Sequence, residues 1–159
     1  EQGWPFIGTW SGFQHALVEY ARNVLGIEDA DFEETAPTSP SPLISRLSCS
    51  LTGAKQTVII TPNTLTFQAY GKDRVTEQFN CNYGLNERYR NDMIQKDLRI
   101  VGKDTNGHAR IVELASHRFF IATLFLPQLS SNPSNPHPLI TAYVNAAIAF
   151  RAMFATLSG

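Results

Sequence analysis

The sequence predicts an α/β domain in which a mostly parallel central sheet carries an antiparallel β insertion. Three observations support this. A short apolar run, Pro5 to Thr9, leads directly into a segment of helical periodicity. A long middle stretch is rich in β-branched and aromatic residues broken by turn signals. An Ala-rich amphipathic segment, Leu139 to Leu157, follows at the end.

Each element has its own warrant. Pro5 to Thr9 is bounded by Gly8 and reads as a strand, buried on both faces if its sheet is parallel. In Ser11 to Leu25, residues Phe13, Leu17, Tyr20, Ala21 and Val24 fall on one helical face, and Gly26 stands where a C-terminal cap belongs. Ile27 to Pro42 is acidic first and then rich in Pro, Ser and Thr; it reads as a solvated loop, and such a loop can also act as a lid. Leu43 to Asn82 reads as several strands, with Thr57 to Ile60 and Thr64 to Phe67 flanking the turn signal Pro62-Asn63. Asn86 to Lys96 reads as a short helix. Leu98 to Val101 and His108 to Leu114 flank the hairpin turn Thr105-Asn106-Gly107. Phe119 to Phe125 is a continuous apolar run expected in the centre of the sheet, and Ser130 to Pro138 is a loop. No internal repeat is visible, and residues 1–159 read as a single domain.

Composition narrows the function classes. The chain has 159 residues, 43% of them apolar, and a formal net charge of -1. There is no basic surplus for nucleic acid and no polybasic run for anionic lipid. No apolar stretch approaches the roughly 20 residues that span a bilayer, and Glu1 to Pro5 lacks the pattern of a signal peptide. The expectation is a cytoplasmic protein, with the reservation that the gene product need not begin where the chain begins. Cys49 and Cys81 sit in apolar, strand-like surroundings and are expected to be buried and reduced. No His/Cys/Asp/Glu cluster has metal-ligand spacing and no Gly-rich phosphate loop is present, so neither metal nor cofactor is expected.

Gly8-Thr9-Trp10-Ser11-Gly12 lies between the first strand and the first helix. Two glycines flanking a central residue at such a junction describe a nucleophile elbow. The central side chain is held on a strained turn above the sheet, small neighbours let the backbones approach, and the helix N-terminus behind it offers unpaired N–H groups. Here the tip is Trp10, whose indole N–H donates but cannot act as a nucleophile. Ser11 would sit at the helix start, donating locally.

The segment Gly8 to Val24 resembles the elbow and following helix of CTP synthase glutaminase domains, close to G-x-C-x-G-M/F-Q-x-A-x-I-E/D-x-A-R-x-V. Asn82-Tyr83-Gly84-Leu85-Asn86 is similar to that family's R-Y-E-V-N. From Leu98 to Phe150, the segments Leu98 to Gly102, Asp104 to Gly107, Ile111 to Glu113, His117 to Phe120, Phe125 to Gln128 and Pro136 to Leu139 keep the family's order and spacing. The resemblance covers nearly the whole chain, most weakly from Glu28 to Thr76. Gly12-Phe13-Gln14-His15-Ala16 also resembles a stand-alone branch of the family.

This resemblance implies a three-layer, flavodoxin-like amidotransferase domain and a Cys–His–Glu triad that hydrolyses glutamine. Carried over residue by residue, the cysteine becomes Trp10, the histidine Leu126 and the glutamate Gln128. The arginine that grips the glutamine carboxylate becomes Asn82, and Gln14 is retained. Turnover by the family's mechanism is therefore not expected. The resemblance further implies that the strands, helices and oxyanion loop preceding the elbow strand are absent. Either the chain is a fragment or processed product, or a second chain supplies that amino-terminal half; a partner of this kind, a homo-oligomer or a rearrangement is expected to cover the open edge.

Other residues complete the candidate set. His15 and Glu19 lie one helical turn apart and could pair at the rim of the old pocket. Glu77, Cys81 and Tyr83 alternate along one strand face. His108 reads as exposed, and His117 and His137 as structural. Three functions follow: a non-catalytic module that binds a small metabolite or partner chain; an enzyme of different chemistry (a lyase, cyclase or isomerase) on an apolar substrate, using His15, Glu19, Cys81 and Tyr83; or a structural subunit completing a sheet. Absent turnover with measurable binding, loss of function on substituting those four residues, and native mass would separate them.

Overall fold

The apolar run after Pro5 forms strand β1, Phe6–Thr9, and Trp10 turns the chain into helix α1, Ser11–Tyr20. The structure is a computed structural model describing residues 3–157, with side chains described as far as residue 153. Helix α1 buries Phe13, Leu17, Val18 and Tyr20. Its end widens into a π-helical turn over Ala21–Leu25, closed by Gly26 at φ 75° as the sequence predicts. That wider turn moves the face round, so Val24 is exposed rather than buried with the other four predicted residues.

The remaining strands are β2 (Ile44–Arg46), β3 (Lys55–Ile60), β4 (Arg74–Gln78), β5 (Tyr83–Leu85), β6 (Leu98–Lys103), β7 (Ala109–Leu114) and β8 (Phe120–Thr123). The helices are α2 (Leu65–Tyr70), α3 (Arg90–Met93) and α4 (Pro138–Leu157). Six strands form one mixed sheet in the order β1-β8-β7-β6-β3-β4, and β2 and β5 pair separately. Within the main sheet β1 and β8 are parallel, Phe6 opposite Phe120 and Thr9 opposite Thr123, and the other pairings are antiparallel. The strand predicted at the centre, β8, lies one in from the β1 edge.

Helices cover both faces. Phe6 and Phe120 stack at 4.5 Å on the α1 side, while Phe119 meets Tyr143 of α4 at 6.2 Å. Phe13, Leu17, Ile111, Ile121 and Phe125 are fully buried between the layers. The predicted hairpin joins β6 to β7, and Asp104 holds its turn by accepting from the backbone N–H of Asn106 and of His108, each at 2.9 Å.

Three expectations are corrected. Leu65–Tyr70 is a helix where a strand was expected. Its N-terminus is held by the buried Glu113, which accepts from the N–H of Leu65 (3.2 Å) and from the N–H and hydroxyl of Thr66 (2.7 Å each). Thr64 caps it by accepting from the N–H of Phe67 at 3.1 Å. Strand β4 stops at Gln78, so Glu77 does not share a face with Cys81 and Tyr83. Glu77 is buried against Tyr70 (2.5 Å) and His137 (3.1 Å), whose Nδ1 accepts from the N–H of Leu139 and whose Nε2 therefore carries the proton. Cys49 is exposed and only Cys81 is buried; both are free. No helix among the described residues is long and apolar enough to cross a membrane.

Candidate functional site

The site begins with a backbone strain. Trp10 has φ 51° and ψ -109°, a conformation that L side chains rarely adopt. Three hydrogen bonds fix it: its N–H donates to the Thr123 carbonyl (2.9 Å), and its own carbonyl accepts from the N–H of Phe13 (3.1 Å) and of Gln14 (3.3 Å). Gly8 packs closely beneath it: a Cβ there would stand 2.9 Å from the Phe6 ring and 3.1 Å from the backbone carbonyl carbon of Gly12, so ring and backbone would both have to give. Gly12 itself faces open space, so only one of the two glycines is needed for close approach. The predicted elbow geometry is present, and the indole at its tip is 45% exposed.

Beside Trp10 lies a cleft of about 110 Å³. Its lining brings together Trp10, Gln14, Cys81, Asn82 and Tyr83 from the candidate set, and adds Glu34 and Asn80. Glu34 was missed because the acidic loop that carries it reads as solvated surface. The isolated pairing of Phe32 with Ile44 draws that loop back toward the body. Gln14 is buried, and its amide donates to the Tyr83 carbonyl at 3.0 Å, tying α1 to β5. The Asn82 side chain accepts from the hydroxyls of Ser50 (2.6 Å) and Thr52 (3.3 Å), so it anchors the loop after β2.

Cys81 has the basic neighbour that the sequence could not show. Arg110 stabilises a thiolate there, but burial outweighs it and pushes the thiol pKa up to about 11. Cys81 is thus a poor nucleophile at neutral pH.

The other candidates do not line this cleft. Leu126 is half-buried after β8 and Gln128 is exposed. Trp10 and Leu126 therefore do not make one apolar pocket, and the cleft is lined largely by polar side chains. Ser11 opens α1 without capping it. His15 and Glu19 line a separate apolar groove with Phe6, Ala16 and Phe120. They do not pair as expected: Glu19 accepts from Asn23 at 2.8 Å, and the His15 ring packs against Phe32 at 4.9 Å. No group of three His, Cys, Asp or Glu side chains that could hold a metal occurs among the described residues.

Comparison with known proteins places this geometry in context. No family model matches the chain. A CTP synthase from Picosynechococcus sp. is 35% identical over 153 residues, which is 90% of this chain and 28% of that protein. The CTP synthase of Saccharolobus solfataricus is 33% identical over 155 residues, 92% of this chain and 29% of its own. The chain therefore spans less than a third of the length of these relatives. Among solved structures, the glutaminase domain of Trypanosoma brucei CTP synthase with bound acivicin superposes with a TM-score of 0.86 and 27% identity, covering 92% of this chain and 61% of that one. A GMP synthase component from Thermoplasma acidophilum, 12% identical with a TM-score of 0.66, shares the fold. By sequence and by fold, the chain is related to the glutaminase domain of CTP synthases.

Proposed function

We propose that this chain is an amidotransferase-like domain that does not hydrolyse glutamine by a Cys–His–Glu mechanism, and that it works by binding a partner chain or a small metabolite. The observation that carries this is Trp10 at the elbow tip, on a backbone strained as a nucleophile's would be. An indole has no atom that can attack an amide carbon, and losing a triad costs several orders of magnitude in rate. Burial of the Cys81 thiol argues against a substitute nucleophile. The size of the cleft, about 110 Å³ against roughly 300–1,000 Å³ for ordinary ligand pockets, favours a partner chain over a metabolite seated beside Trp10.

The partner reading rests on the β1 edge. Among the described residues no strand pairs with its outer side. Apolar grooves flank it on both faces, Phe6, Ala16 and Phe120 on one and Trp4, Tyr143 and Phe150 on the other. The occupant we propose is polypeptide from upstream of Glu1, on the same or a separate chain, adding a strand to β1 and a helix over a groove. The match covers 61% of the trypanosomal chain, which extends beyond the matched region. Exchange protection of the outward-facing β1 amides when that polypeptide is added is the check.

The experiment for the catalytic part is ammonia release from glutamine. It compares the wild type with Trp10→Cys/Leu126→His/Gln128→Glu, both carrying any region that precedes Glu1. An inert wild type is the expected result. Release above a buffer control by the wild type would sink the reading, and Cys81→Ser and Ser11→Ala would then locate the nucleophile.

A further inference from the structure

The groove on the α4 side of the sheet has a volume of about 450 Å³ and lies at the start of β1, at the other end of that strand from Trp10. It shares no lining residue with the Trp10 cleft. Trp4 and Pro5 form one wall; Tyr143, Ala147, Phe150 and Arg151 of α4 form the other. Ring contacts hold the walls in place: Trp4 meets Phe150 at 4.8 Å, and Tyr143 meets Phe119 at 6.2 Å. Even so, Trp4 is 62% exposed, a large apolar surface left to water. Unlike the Trp10 cleft, this groove falls within the roughly 300–1,000 Å³ of ordinary ligand sites, and its surface is mainly apolar, as theirs is.

The charge around the groove has one sign. Arg151 lines it and no carboxylate does. Arg118 stands beside it, with its guanidinium over the Phe150 ring at 4.8 Å and Nη1 donating to the Met153 sulfur at 3.1 Å. A ring and a thioether orient that guanidinium without neutralising it. Among the described residues neither Arg118 nor Arg151 forms an ion pair. The groove on the α1 side has the opposite character: Glu19 lines it, and no arginine or lysine does. One exposed arginine is ordinary on a protein surface. Two of them bordering one aromatic groove, with no acid between them, select for an anion whose remainder is apolar.

We propose that the α4-side groove binds a small carboxylate with an apolar body, an aryl or medium-chain aliphatic acid. The body lies among Trp4, Tyr143 and Phe150, where removal of apolar surface from water drives binding. The carboxylate accepts from the Arg151 guanidinium, and Arg118 adds to the positive potential. Arg151 is exposed, so the head group keeps part of its hydration and the affinity is modest, roughly 0.1–1 mM for a ligand of this size. The strand addition at β1 needs only one groove for its helix, and the α1-side groove is left free for it. The two assignments therefore stand or fall separately.

The probes are 3-phenylpropionate and octanoate, added to the chain carrying any region that precedes Glu1. The controls are 3-phenylpropionamide, which has the same shape and no charge, and 3-phenylpropylamine, a cation. The readout is the indole N–H resonance of Trp4, assigned by its loss in Trp4→Phe. The resonance of Trp10, the second of the chain's two tryptophans, is the internal reference. Both acids should shift the Trp4 signal saturably and leave that of Trp10 in place. The amide should bind about tenfold more weakly, the worth of one charge-assisted hydrogen bond at an exposed site, and the amine more weakly still. Arg151→Gln, at an exposed position, should bring acid and amide to equal affinity while the fold is kept. The assignment is overturned if neither acid shifts Trp4 saturably, the result expected were a polypeptide segment to fill the groove. It is equally overturned if the amide or the amine binds as well as the acid, if Trp10 shifts in step with Trp4, or if Arg151→Gln leaves the preference for the acid intact.

Discussion

At the residue scale the informative position is Trp10, because a strained backbone there carries a side chain with no nucleophilic atom. The backbone adopts a dihedral pair that L residues rarely take, at a cost in strain. The side chain has no reactive group to present. A direct measure of that strain is the order of two truncations. Elsewhere in a chain Ala is usually the more stable choice, since Gly costs unfolded-state entropy. At φ 51° and ψ -109° the order should reverse, with Trp10→Gly more stable than Trp10→Ala by about 1 kcal/mol in urea unfolding. Both variants lose the same indole contacts, so the comparison isolates the backbone. Equal stabilities would mean that the turn relaxes when the indole is removed.

At the element scale the sequence was legible wherever periodicity and punctuation agree. The first strand, α1 with its Gly26 cap, the β6–β7 hairpin and α4 all follow from local pattern. Helix α2 did not, and the reason is tertiary. Thr64-Leu65-Thr66-Phe67 has the β-branched alternation of a strand, but a buried carboxylate 47 residues away claims its N-terminal amides. No local signal marks Glu113 as their partner. The same physics hid part of the site: Glu34 reaches the Trp10 cleft, and Arg110 reaches Cys81, through folding alone. If Glu113 specifies the helix, Glu113→Gln should destabilise the protein by roughly 2 kcal/mol, since hydrogen bonds to a buried charge are lost or weakened. Thr64→Ala should cost about 1 kcal/mol, the usual worth of an N-cap. Chemical denaturation measures both. A Glu113→Gln effect smaller than that of Thr64→Ala would show that the cap, and not the carboxylate, decides.

At the scale of the whole molecule the sheet is asymmetric. Strand β4 at one edge is tied down through Glu77, His137 and Tyr70, which join β4, α2 and the start of α4. Strand β1 at the other edge is, among the described residues, paired with a strand on one side only. The N–H groups of Phe6 and Trp10 donate inward, to the carbonyls of Phe119 and Thr123, so alternation turns those of Ile7 and Thr9 outward. An exposed row of strand donors with an apolar groove on either face is an unstable surface for a protein to leave uncovered. Amide exchange resolves the two rows. In the chain alone, Ile7 and Thr9 should exchange far faster than Gly8 and Trp10, although all four lie within one short segment. Adding the polypeptide from upstream of Glu1 should slow Ile7 and Thr9 to the rates of their neighbours, because a parallel strand on that edge would accept from both. Protection that instead rises with concentration of the chain alone would assign the edge to a second copy. Fast exchange at Ile7 and Thr9 under both conditions would mean that the β1 edge takes no strand, and the partner would then have to be sought on another surface.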